Sequence, residues 1–111
     1  MGAVLPFPPR ATGGQTGFTR FELHRIVDLY GRMVAAGLWK DYAIAFEPGA
    51  AAFWAFRRTA EHPECRIEKR PGARQGAWAL IGENGQVLRR GPELGPILAP
   101  LERRLLKLVA G

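Results

Sequence analysis

Few side chains in this sequence have the chemistry of a ligand or a nucleophile. His24 and His62 are the two histidines and Cys65 is the one cysteine. His62, Glu64 and Cys65 together offer three metal-binding atoms, but so short a spacing gives poor geometry around one ion, and nothing elsewhere repeats a ligand motif. His24 falls beside the apolar stripe of a helix, the setting of a packing or surface histidine. Cys65 as a nucleophile needs a base and an oxyanion donor. It stands in a strand opposite arginines, which turns it toward the core as a small apolar side chain. Glu61, Glu64 and Glu68 each have an arginine or lysine within reach, so surface ion pairs worth about 0–1 kcal/mol account for them. Gly13-Gly14 precedes no strand and Gly82 to Gly85 reads as a hairpin, so there is no phosphate loop. The expectation is a protein that is not an enzyme and holds neither metal nor cofactor.

Arginine is the residue type in excess. The chain of 111 residues carries 16 Lys+Arg against 10 Asp+Glu, a net charge of +6, and Arg outnumbers Lys 13 to 3. Arg57, Arg58, Arg66, Lys69, Arg70, Arg74, Arg89 and Arg90 are eight basic residues between positions 57 and 90, against Glu61, Glu64, Glu68 and Glu83. A guanidinium is a planar fork for phosphate or carboxylate and stacks on aromatic faces. Alternate residues of a strand share a face, so Arg66, Glu68 and Arg70 align. One of Arg57 and Arg58, one of Arg89 and Arg90, and an aromatic ring from Phe53, Trp54 or Trp78 are expected beside them. Arginines interleaved with aromatics form a footprint for RNA or single-stranded nucleic acid. The expected site is therefore a strand face made of these eight basic residues with Trp54 or Trp78 as the stacking surface, and its expected partner is acidic. Two readings compete with it. One is a solvated face in an Arg-rich chain. The other is a protein-interaction or homodimerisation module that uses an exposed aromatic sheet face without nucleic acid, because Trp39, Trp54 and Trp78 are many tryptophans for this length.

The elements that must position these residues are legible as changes of period. Thr19 and Glu22 fit a capping box and Phe18 and Leu23 a hydrophobic staple, so a helix starts at about residue 20. Leu23, Ile26, Val27, Tyr30, Met33 and Val34 recur at helical spacing to Gly37, a left-handed cap. Gly31 lies inside this helix. Either another backbone packs closely against it, or the helix tolerates it at a cost near 1 kcal/mol.

From Tyr42 the period is two, and Glu47-Pro48-Gly49-Ala50 reads as a turn into a second strand, Ala52 to Arg58, that is apolar on both sides. Cys65 to Arg70 is a half-solvated strand. Pro71 to Gly76 is a basic loop, and Ala77 to Ile81 with Val87 to Arg90 form a hairpin around Asn84-Gly85. Leu94, Ile97, Leu98, Leu101 and Leu105 mark a last helix, expected to be irregular at Pro96 and regular from about residue 97. The fold class is α+β: an antiparallel meander of four to five strands with an N-terminal and a C-terminal helix on one face.

Composition is that of one small globular domain, with 47% hydrophobic and 23% charged residues. Residues 1–17, with three prolines and four glycines, read as a flexible leader to a single domain over 18–111. The longest apolar run, Ala50 to Phe56, is far short of the roughly 20 residues that span a bilayer. The N-terminus lacks a basic segment ahead of its apolar residues and is broken by Pro6, Pro8 and Pro9, against a secretory signal. A single cysteine excludes a disulfide scaffold. Cytoplasm is the expected compartment.

Several strings resemble a known family: Leu29-Tyr30-Gly31-Arg32-Met33-Val34-Ala35-Ala36-Gly37, Asp41-Tyr42-Ala43-Ile44, Phe56-Arg57-Arg58 and Arg66-Ile67-Glu68-Lys69-Arg70-Pro71. Over most of residues 18–105 they resemble small alphaproteobacterial proteins of unknown function. The resemblance implies a bacterial protein and transfers no catalytic residue.

Overall fold

A computed structural model describes residues 17–58 and 62–110. Except for Gly17, the expected leader lies outside them, as does Glu61. The order of elements is α1 (Arg20–Ala35), β1 (Asp41–Glu47), β2 (Ala50–Phe56), β3 (Cys65–Lys69), β4 (Trp78–Ile81), β5 (Val87–Gly91) and α2 (Leu94–Ala110). The strands form one antiparallel sheet in chain order, β1-β2-β3-β4-β5. No helix among the described residues is long and apolar enough to cross a membrane.

α1 starts where its capping box requires. The Thr19 hydroxyl accepts from the Glu22 N–H at 3.1 Å, and Glu22 Oε1 accepts from the Thr19 N–H at 2.8 Å. It ends in a Schellman motif: the Gly37 N–H donates to the Val34 carbonyl and the Leu38 N–H to the Met33 carbonyl. The buried stripe is Ile26, Leu29 and Met33, with Leu23 and Tyr30 packed alongside. Val27 and Val34, expected in that stripe, are exposed. Leu29 takes their place because the helix lies on the sheet about a line through 26, 29 and 33, which rotates both valines out to the flank. Gly31 meets no atom within 4 Å of a Cβ position. The helix simply tolerates it, and Gly31→Ala should raise stability by about 0.5–1 kcal/mol, read as a higher urea midpoint at unchanged slope.

α2 begins at Leu94, three residues earlier than expected, and both prolines lie within it. Pro96 occupies the first turn, where an N–H has no intrahelical acceptor, whereas Pro100 lies inside the helix and forgoes the bond an N–H there would make to the Pro96 carbonyl, yet the helix runs through it. Its expected stripe of Leu94, Ile97, Leu98, Leu101 and Leu105 is buried throughout. Both helices share one core cluster with the inward row of the sheet, Ala51, Phe53, Ala55, Cys65, Ile67, Trp78 and Leu80. Tyr42 stacks on Phe53 at 5.4 Å between ring centres, and Tyr30 meets both edge-on.

The hairpin between β4 and β5 closes with the Gly82 N–H donating to the Gln86 carbonyl. Gly85 adopts φ 85°, a left-handed conformation that suits the Asn-Gly pair. A register shift follows at Leu80/Ile81.

Cys65 is buried in the core cluster, as its alternation implies, and burial, with Glu64 adding, pushes its thiol up to about 12. Since folding raises this pKa, the stabilisation is complete below about pH 9 and is lost as pH climbs toward about 12. The folded protein should accordingly resist a maleimide at pH 8 and react fully in denaturant. Rapid labelling of the native state would contradict the burial.

Candidate functional site

Register decides which predicted residues meet. The face away from both helices carries Trp54 and Phe56 of β2, Arg66 and Glu68 of β3, Ala79 and Ile81 of β4, and Arg90 of β5. Trp54 is paired directly with Arg66, Arg66 with Ile81, Glu68 with Ala79, and Ala79 with Arg90. Arg70 continues the β3 alternation just beyond the strand. Its N–H donates to the Ala77 carbonyl, and its Nη2 reaches Glu68 Oε2 at 3.2 Å. Arg66 Nη2 lies 3.5 Å from the same oxygen. Glu68 is 8% exposed and so holds two guanidiniums about a largely desolvated carboxylate.

Arg90 makes no ion pair among the described residues and is half-buried. Ala79 and Ile81 are buried. The accessible part of this face is therefore made by Trp54, Phe56, Arg66, Arg70 and Arg90, with Val87 beside Ile81 on β5 and Asp41 paired with Phe56 on β1. Asp41 and Glu47 belong to β1, at the far edge of the sheet from Arg90, so charge grades from acidic to basic across the strands.

Five of the expected basic residues, and one tryptophan, are not brought to that group. Lys69 is in phase with Cys65 and Ile67 and faces the helices. Its Nζ donates to Glu22 Oε1 at 2.7 Å and to the Gly17 carbonyl at 3.1 Å, and lies 5.7 Å over the Trp78 ring. Trp78 is likewise on the helix-covered face, 4% exposed, stacked on Phe18 at 6.0 Å. Neither is available to a partner at the open face, because the strand alternation that aligns 66, 68 and 70 sends 65, 67 and 69 inward.

Arg57 lies past the end of β2 and donates to Glu83 Oε2 at 3.1 Å, with Glu64 Oε1 at 3.8 Å from its Nε. His62 Nε2 is 3.3 Å from that Glu83 oxygen, and Arg104 of α2 bonds Glu64. This network ties the 57–64 segment, the hairpin and α2 together at one end of the sheet. Arg58 is exposed in the same segment. Arg89 pairs with Leu80 and so lies on the other face from Arg90, exposed on the edge strand. Arg74 is exposed in the loop between β3 and β4.

Phe56 is not among the residues expected at the site, although strand alternation alone sets it on the same face as Trp54. No cluster of three or more His, Cys, Asp or Glu able to hold a metal ion occurs among the described residues. Two aromatic rings two residues apart on one strand, sharing a face with guanidiniums of β3 and β5, can stack planar groups and pair with anions together.

Comparison with known proteins adds one finding. A family model described as a protein of unknown function, DUF2794, matches residues 16–98. No curated protein and no solved structure matches the chain.

Proposed function

Because the chain belongs to the DUF2794 family, whose function is unknown, we propose a function from its own surface: the open sheet face binds single-stranded nucleic acid. The observation that supports it is the direct pairing of Trp54 with Arg66 across β2 and β3, with Phe56, Arg70 and Arg90 on the same face. Trp54 and Phe56 offer rings for two successive bases, and the guanidiniums donate hydrogen bonds to the phosphates between them. A sheet face of this kind suits splayed bases better than a duplex, whose bases are not free to stack on protein rings. Nothing in this role calls for catalysis or a cofactor.

Fluorescence anisotropy with a labelled single-stranded RNA tests the reading. Three phosphate contacts predict that log Kd rises with log salt at a slope of about 2. Trp54→Ala should weaken binding roughly tenfold, the usual scale of one base–aromatic stack. Arg90→Ala should weaken it and flatten the salt slope, whereas Arg103→Ala, the same charge change on the exposed side of α2, should do neither. A complex insensitive to salt, or equal losses for Arg90→Ala and Arg103→Ala, would refute the proposal. So would a salt-resistant dimer in gel filtration that Trp54→Ala dissociates, because the same face would then be occupied by a second copy.

A further inference from the structure

Resting on the nucleic-acid reading, we infer that Glu68 makes the site selective for an unpaired guanine. An acidic residue at the centre of a phosphate-binding face is out of place if charge alone does the binding, since it cancels one of the arginines beside it. Its geometry gives it a different use. Glu68 Oε2 accepts from Arg70 and faces Arg66. Oε1 accepts no hydrogen bond among the described residues. The contacts with Arg66 and Arg70 both fall on Oε2, and the Glu68 side chain keeps 11% of its surface exposed. One oxygen is clamped by guanidinium and the other is presented, one row of the pleat from Trp54, with alanines on both neighbouring strands, Ala52 and Ala79. The two cross-strand neighbours of Glu68 are thus the smallest side chains that carry a Cβ.

The edge that fits is set by chemistry. A carboxylate oxygen needs N–H donors, and the adjacent guanidinium needs acceptors. Guanine offers both in the right order: N1–H and the N2 amino group toward the carboxylate, O6 and N7 toward arginine. Adenine and cytosine set a ring-nitrogen lone pair beside their amino group, which the carboxylate repels. Uracil supplies a single N–H. Glu68 also lowers the attraction for bare phosphate, so it trades general affinity for discrimination.

The test uses labelled oligouridine pentamers carrying one central guanine, inosine, adenine, cytosine or uridine, bound to the full chain. Guanine should bind about tenfold more tightly than adenine or cytosine, the scale of a hydrogen bond to a charged group, with inosine, which lacks N2, in between. Glu68→Gln should bind all five more nearly alike, adenine and cytosine more tightly than the native chain does. The inosine series reads the same contact from the ligand side and needs no variant to fold. Equal affinities across the five overturn the guanine inference and leave the nucleic-acid reading standing. Absence of binding to any pentamer overturns both.

Discussion

Gly76→Ala should be among the most damaging single-methyl additions in this chain, costing about 3 kcal/mol or more. Gly76 has φ 121°, a region that side chains other than hydrogen rarely enter, and a Cβ there would lie 2.7 Å from the Gly91 Cα and overlap the Gly91 carbonyl. The obstruction is backbone, which cannot rotate away as a side chain does. Gly76 closes the loop between β3 and β4, where its N–H donates to the Ala73 carbonyl at 3.3 Å, and Gly91 ends β5 opposite Trp78. Making room means separating β5 from the end of β4, and with it the Trp78–Phe18 stack. For a domain of this size the loss corresponds to a fall of more than about 10 °C in Tm. Gly72→Ala, in the same loop with nothing within 4 Å of its Cβ position, is the matched control and should melt within about 3 °C of the native protein. Equal melting of the two variants would mean that the approach of residues 76 and 91 is not a constraint.

Phe53→Ala is the second large effect, about 3–5 kcal/mol out of a total stability of roughly 5–15 kcal/mol. Phe53 is 1% exposed at the middle of β2, between Ile44 of β1 and Ile67 of β3. It is the ring on which Tyr42 stacks and against which Tyr30 sets its edge. Truncation leaves a void bounded by aromatic rings and β-branched side chains from three elements, and such stiff neighbours collapse poorly into it. A lowered urea midpoint together with loss of near-ultraviolet dichroism from the tyrosines is the expected signature. Trp54→Ala, one residue on and facing the other way, should leave that midpoint within about 1 kcal/mol of native, since Trp54 is only half-buried. A reversal of the two effects would show that β2 is held in the opposite register.

That contrast marks the limit of what the sequence discloses. The capping box, the α2 stripe, the Asn-Gly hairpin and the strand order are local signals, and the fold follows from them. Ala-Ala-Ala-Phe-Trp-Ala-Phe carries no polar residue to say which ring goes inward. The choice is made by the partner strands, Ile44 and Ile67 drawing Phe53 to their side. On β3 the alternation with Cys65 and Ile67 places Lys69 inward, although a lysine ordinarily seeks solvent and the expected face includes it. Only the fold brings Glu22, a residue already committed to a helix cap, within reach of it and so makes an inward lysine tolerable. Glu68 shows the same limitation in reverse, since its alignment with Arg66 and Arg70 was legible while its near-burial and its divided oxygens were not.

Glu22 Oε1 takes hydrogen bonds from both the Thr19 amide and Lys69 Nζ. A helix terminus ordinarily frays on its own, ahead of the rest of the molecule. Here the opening turn shares an atom with a cation anchored in the central strand, so unwinding that turn strands the lysine beneath the helices. Exchange of the amides at the start of α1 should then track global unfolding instead of running ahead of it. The chain's entry into its first helix becomes a late event in denaturation.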